Sequence, residues 1–170
     1  MPATAVTTTR IATQGIDVRD LSQHDRKNLA RGPSISIFIG ANYTTQIPQD
    51  FYLAMSNKPC LISNGFTTLP LNVEVKAVKK LAEYINSLLD SPYTFPRLQT
   101  TGMDIHSMLS ITHAGDALGV KMYFNHAYTK VEAILHRDLP LYKDLHALLH
   151  YRHFHDRLFG IAAENLAIRL

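Results

Sequence analysis

The spacing of apolar residues changes period once along this chain, and that change decides its fold class. Residues 34–39 read Ser-Ile-Ser-Ile-Phe-Ile, a period of two that suits a strand with one well-buried face. From Val75 onward the steps are three and four: Val75, Val78, Leu81, Ile85 and Leu88 fall along one side of a helix. Strands come first and helices follow. The expected class is therefore α+β, a small, mostly antiparallel sheet of about three short strands flanked by five or six helices. A length of 170 residues suits one domain with a real core.

Turn and cap residues place the other elements. Gly40-Ala41-Asn42 supplies turn chemistry before a second strand over about 43–47, and Pro48, which lacks a ladder N–H, stops it. Asp50 is placed to cap a short helix over 51–56, and Phe66 to Leu69, bounded by Gly65 and Pro70, reads as the third strand. Asn72 is a plausible cap for the helix that ends near Asp90. Helical spacing returns from Met103 to Leu118, closes at Gly119, and resumes from Val120 to Leu135. Asp138-Leu139-Pro140 then restarts a helix with proline at its first position, carried by Leu141, Leu145, Leu148 and Leu149. A last helix runs from Asp156 to the C-terminus. Residues 1–32 hold few large apolar side chains and end in Ala30-Arg31-Gly32-Pro33, so they read as a disordered or loosely attached arm. Residues 33–136 form the main domain and 137–170 a helical extension packed on it.

Charge and missing motifs exclude several function classes. Lys+Arg number 17 against 14 Asp+Glu, interspersed along the chain, which is a poor nucleic-acid footprint at a net charge of +3. The densest basic group, Lys76, Lys79 and Lys80, lies along one helix face and reads as a solvated surface. No apolar run approaches the roughly 18 residues of a membrane-spanning helix, and the N-terminus lacks the apolar core of a secretory signal. The single Cys60 cannot close an internal disulfide, so an intracellular location, cytoplasmic or nuclear, is expected. With Leu61 and Ile62 beside it, Cys60 reads as a buried thiol and a poor nucleophile. Neither a glycine-rich phosphate loop nor a Gly-x-Ser-x-Gly elbow occurs, and Asn42-Tyr43-Thr44 matches a glycosylation sequon of a kind that often arises by chance.

Two groups of residues remain as site candidates. Four of the nine histidines, His146, His150, His153 and His155, cluster near the start of the extension. His146 and His150 share a helix face and could both ligate a transition metal, with His153 or His155 closing the site. The same residues also suit a helix C-terminus, where imidazolium favours the dipole. Phe38, Phe51, Tyr52, Met55, Tyr93 and Phe95 are candidates for a sticky face, because aromatic residues and methionine are enriched at interface centres; each also suits the core.

The element order, with certain residues, resembles a BTB/POZ domain of the divergent kind common in filamentous fungi. Leu29 to Gly40 is similar to the lead-in and first strand, Ile47 to Ser56 to the exit into the first helix, and Leu81-Ala82-Glu83-Tyr84-Ile85 to the family's tyrosine-isoleucine helix. The most specific match is His113 to Tyr123, which resembles the family's alanine-acid-x-leucine-glycine-hydrophobic junction between helices. These pieces span about 29–135, and the helical tail from Leu141 to Leu170 is similar to the extension of the fungal group. The resemblance implies a protein-interaction module, often a homodimer, without catalytic residues or a cofactor. The alternative from another class is a small metal-binding protein or enzyme built on the histidine cluster.

Overall fold

The computed structural model describes residues 17–58, 62–91, 97–152 and 156–169. Strand β1, Ser34–Ile39, lies at the centre of a three-stranded sheet, with β2 (Asn42–Pro48) on one side and β3 (Phe66–Leu69) on the other. The β1–β2 pair is an antiparallel hairpin, with Ile35 opposite Ile47 and Phe38 opposite Tyr43. A bulge between Ile37 and Phe38 shifts that register. The expectation of a mostly antiparallel sheet is corrected on one side, because β3 runs parallel to β1, with Ser36 opposite Phe66. Helix α2 (Gln49–Met55) carries the chain across β1 to reach that edge.

Alternation puts Ile35, Ile37, Ile39, Ile47 and Leu69 on the inner face, all at most 5% exposed. They pack with Phe51, Tyr52 and Met55 of α2 and with the apolar side of α3 (Val75–Asp90). Helix α3 starts after Glu74 and not Asn72. Helix α4 (Ile105–Leu118) is the joint of the molecule. Its buried residues divide between two apolar clusters: Ile111, Ala114 and Leu118 pack with the sheet, α2 and α3. Ile105, Met108 and Leu109 join α5 (Asn125–Arg137), α6 (Tyr142–Tyr151) and α7 (Arg157–Arg169). A helix that is apolar on nearly every side belongs between two layers.

The turn after α4 is sharp, as Gly119 predicts. Its φ is 72°, in the left-handed region, and its carbonyl accepts from the Asn57 N–H at 2.8 Å. The Leu118 carbonyl accepts from Tyr52 Oη at 2.7 Å and Ser56 Oγ at 2.8 Å, so α2 clamps the end of α4. A 3₁₀ turn over Lys121–Tyr123 then intervenes, and α5 begins at Asn125, later than the apolar spacing predicts.

Residues 17–31 depart from the expected loose arm. Asp17 caps a 3₁₀ turn over Val18–Asp20, and Ser22 caps α1 (Gln23–Leu29) by accepting from the Asp25 N–H. Val18 is fully buried, and the guanidinium of buried Arg26 donates to the carbonyls of Leu21 and Ser91, tying α1 to the end of α3. Buried Val18, the partly buried Leu21 and Leu29 and one buried cation hold a segment whose composition is largely polar. Residues 1–16 lie outside the described residues.

The extension packs on α4 and α5. Pro140 precedes α6 and is not its first helical residue; the Asp144 carboxylate accepts from the Leu141 N–H at 3.0 Å and begins the helix. Ala147, Leu148 and Tyr151 face inward, whereas Leu141 and Leu149 are exposed. Buried Asn165 on α7 donates to the carbonyls of Leu135 and Asp138, satisfying the end of α5. Among the described residues no helix is long and apolar enough to cross a membrane.

Candidate interaction surface

The outer face of the sheet has no helix over it among the described residues. Register places Ser34, Ser36 and Phe38 of β1 there, with Tyr43, Gln46 and Pro48 of β2 and Phe66 and Thr68 of β3. None carries a charge, and no residue of the three strands does. Soluble sheets ordinarily guard free faces and edges with Lys, Glu or Pro; here Pro48 alone serves, at one end of β2.

Three rings gather on that face. The Phe38 ring meets Tyr43 edge-on at 5.8 Å between centroids and Phe66 at 6.0 Å, at interplanar angles of 75° and 79°. Phe38 is half-buried by its two neighbours, while Tyr43 is 58% and Phe66 41% exposed. The cross-strand pair fixes Tyr43 against Phe38, so the rings are held in place before any partner arrives. Leu71, 80% exposed, lies over Gly40 at the hairpin turn.

Among the described interface candidates, Phe38 alone lies on this face. Phe51, Tyr52 and Met55 are buried in the core, because α2 turns its apolar side onto the sheet and α4; this corrects the expectation that they form a sticky surface. Tyr93 and Phe95 lie outside the described residues, as does Cys60. Tyr43 and Phe66 were not among the candidates. The signal for them was available in the alternation, which puts Phe38 on the serine side of β1, and in the absence of charge from all three strands.

The histidine cluster takes a different form from the one expected. His146 and His150 are both exposed on α6, and the His150 ring lies edge-on to Tyr151 at 4.7 Å; His153 and His155 lie outside the described residues. Among the described residues no group of three or more His, Cys, Asp and Glu is placed to hold a metal ion. Among the described residues, His106 on α4 joins a polar cluster. Its Nε2 lies 3.1 Å from Tyr151 Oη and 3.5 Å from Glu74 Oε1, and Tyr151 Oη donates to that same carboxylate oxygen. These residues are 45 and 77 positions apart in the chain, beyond what spacing can join.

A second polar knot follows α6. Arg152 donates to Asp116 Oδ2 at 2.9 Å and to Thr112 Oγ1, lies 3.8 Å from Asp156, and stacks over the Tyr128 ring at 5.2 Å. Tyr128 Oη donates to Asp156 at 2.7 Å. Both knots spend their polar groups on each other and join separate helices.

Burial sets the electrostatics of these phenols. It pushes Tyr123 up to about 12 and Tyr84 upward; for Tyr128 and Tyr151 the carboxylates of Asp156 and Glu74 add to burial and hold both well above the usual tyrosine range. The folded chain thus keeps protons that the unfolded chain releases near pH 10, so this contribution is complete below about pH 10 and is lost as the pH rises. The urea midpoint is expected to fall between about pH 10 and about pH 12, while the absorbance of tyrosinate lags behind that of the unfolded chain. A midpoint that stays level to pH 12 contradicts this.

Comparison with protein-family models, with curated proteins and with solved structures finds no match to this chain.

Proposed function

We propose that the chain is a non-catalytic protein-interaction module of the BTB/POZ-like kind, which pairs with a second copy of itself through the outer face of its sheet. The observation that carries this reading is the uncharged face on which Phe38, Tyr43 and Phe66 stand together. Preset aromatic clusters at the centre of a patch contribute most of the energy of an interface, and the surrounding Ser, Thr and Gln can exchange water for hydrogen bonds across it. A two-fold contact places the same patch on both sides, and two sheets pack face to face about 10 Å apart. The β1-β2-α2-β3-α3 succession, followed only by helices, and the left-handed Gly119 within the His113-to-Tyr123 junction support the family resemblance. The convergent polar groups support a non-catalytic role, since Glu74 with Tyr151 and Arg152 with Asp116 are engaged in ties between helices. An intracellular setting, cytoplasmic or nuclear, fits the lone Cys60.

Light scattering at tens of micromolar is expected to give a dimer, and labelled and unlabelled chains should exchange subunits on mixing. Tyr43→Lys with Phe66→Lys puts facing cations into the contact, so the doubly substituted chain is expected to be monomeric. Its circular dichroism should be unchanged, because neither side chain belongs to the core. A strictly monomeric wild type, or a lysine variant that still dimerises, removes the proposed pairing.

A further inference from the structure

On another side of the molecule, a cleft of about 690 Å³ opens between the first turns of α3 and α4. That volume lies within the roughly 300–1,000 Å³ typical of small-ligand sites. Buried Ala77 and Ile111 line it together with Met103, and its polar lining includes Lys76, Lys80, His106 and Ser107. Lys76 and Lys80 stand one helical turn apart, both exposed, and neither pairs with a carboxylate among the described residues. Glu74 is the one carboxylate lining the cleft, and it is already occupied: Tyr151 donates to it and His106 lies beside it. Lys76 moreover sits in the first turn of α3, where the helix dipole disfavours a cation and no acid in that turn offsets it. Two lysines against one carboxylate leave the lining net positive beside an apolar recess, which complements an anion with an apolar body.

We propose that this cleft binds an oxyanion carried on a short apolar chain, the chemistry of an alkyl phosphate or an alkyl carboxylate. The anion sits between Lys76 and Lys80, away from Glu74, and the apolar part lies against Ala77, Met103 and Ile111. The site does not depend on self-association, since none of its residues belongs to the sheet.

Four probes separate the contributions when the full chain is titrated by calorimetry and by amide NMR: hexyl phosphate, hexanoate, inorganic phosphate and hexylammonium. At least one of the two amphipathic anions is expected to bind saturably and to shift amides over 74–80 and 103–111, the tighter of them identifying the headgroup. Inorganic phosphate should bind at least tenfold more weakly, and hexylammonium should produce no shift there. The pair Lys76→Gln and Lys80→Gln is expected to weaken the anion at least tenfold without moving the melting temperature, since both side chains are exposed. The proposal is overturned if neither anion saturates below about ten millimolar, if hexylammonium binds equally well, or if the shifts lie elsewhere.

Discussion

Gly119→Ala is expected to lower the melting temperature by roughly 10 °C, a loss of about 3–4 kcal/mol. Two costs add. A non-glycine residue held at φ 72° gives up about 1 kcal/mol or more to backbone strain. The new Cβ would also lie 2.7 Å from Ser56 Oγ, 2.8 Å from Asn57 Oδ1 and 2.9 Å from Lys58 Cβ, so the segment after α2 must move away. That movement breaks the hydrogen bonds from Ser56 to Leu118 and from Asn57 to Gly119, which close the end of α4. Gly65 is the internal control: its φ is 80°, and nothing lies within 4 Å of a Cβ built there. Gly65→Ala should cost only the strain, about 1 kcal/mol. Thermal unfolding followed by circular dichroism compares the two, and equal losses would show that the clamp by α2 adds nothing.

Arg152→Ala is expected to cost about 3–5 kcal/mol, although it removes a surface-type residue from a link between helices. Its side chain is only 7% exposed and compensates Asp116 and Asp156, whose side chains are 31% and 17% exposed. Truncation leaves both carboxylates without their shared cation, strips a donor from Thr112 and uncovers the Tyr128 ring. Arg152→Lys should recover only part of the loss, because one ammonium cannot bond Asp116 and Thr112 while lying flat on Tyr128. Denaturant midpoints measure the total, and hydrogen exchange of α7 locates the damage. If Lys restores full stability, the planar fork is irrelevant and simple charge neutralisation is the whole effect.

The parts of this fold set by neighbours in sequence were readable in advance, and those set by distant partners were not. β3 emerges over Phe66–Leu69 because Gly65 and Pro70 bound it, and the close of α4 at Gly119 follows from one residue that tolerates positive φ. The parallel β1–β3 pairing was not legible, because it depends on how α2 packs and alternation is the same in either direction. Residues 17–31 misled for the opposite reason. Few apolar side chains are needed when Arg26 supplies donors to two carbonyls, one of them 65 residues away. At the candidate surface, burial assigns Phe51, Tyr52 and Met55 to the core, one of the two roles open to them: an apolar side chain marks core and interface alike, and only the third dimension separates them. Glu74, His106 and Tyr151 come from three helix regions and meet only after both apolar clusters have formed.

The parallel placement of β3 also sets an order of assembly. The β1–β2 hairpin closes over two residues and can form within microseconds, whereas the β1–β3 pair closes a much longer loop through α2 and is expected to form later. Until then β1 offers an unfilled row of backbone donors and acceptors on the side that β3 will occupy, in a segment without charge to repel a neighbour. Nascent chains are thus most vulnerable to mispairing between their emergence and the arrival of Phe66 to Leu69, and slowing that arrival should trade soluble yield for aggregate.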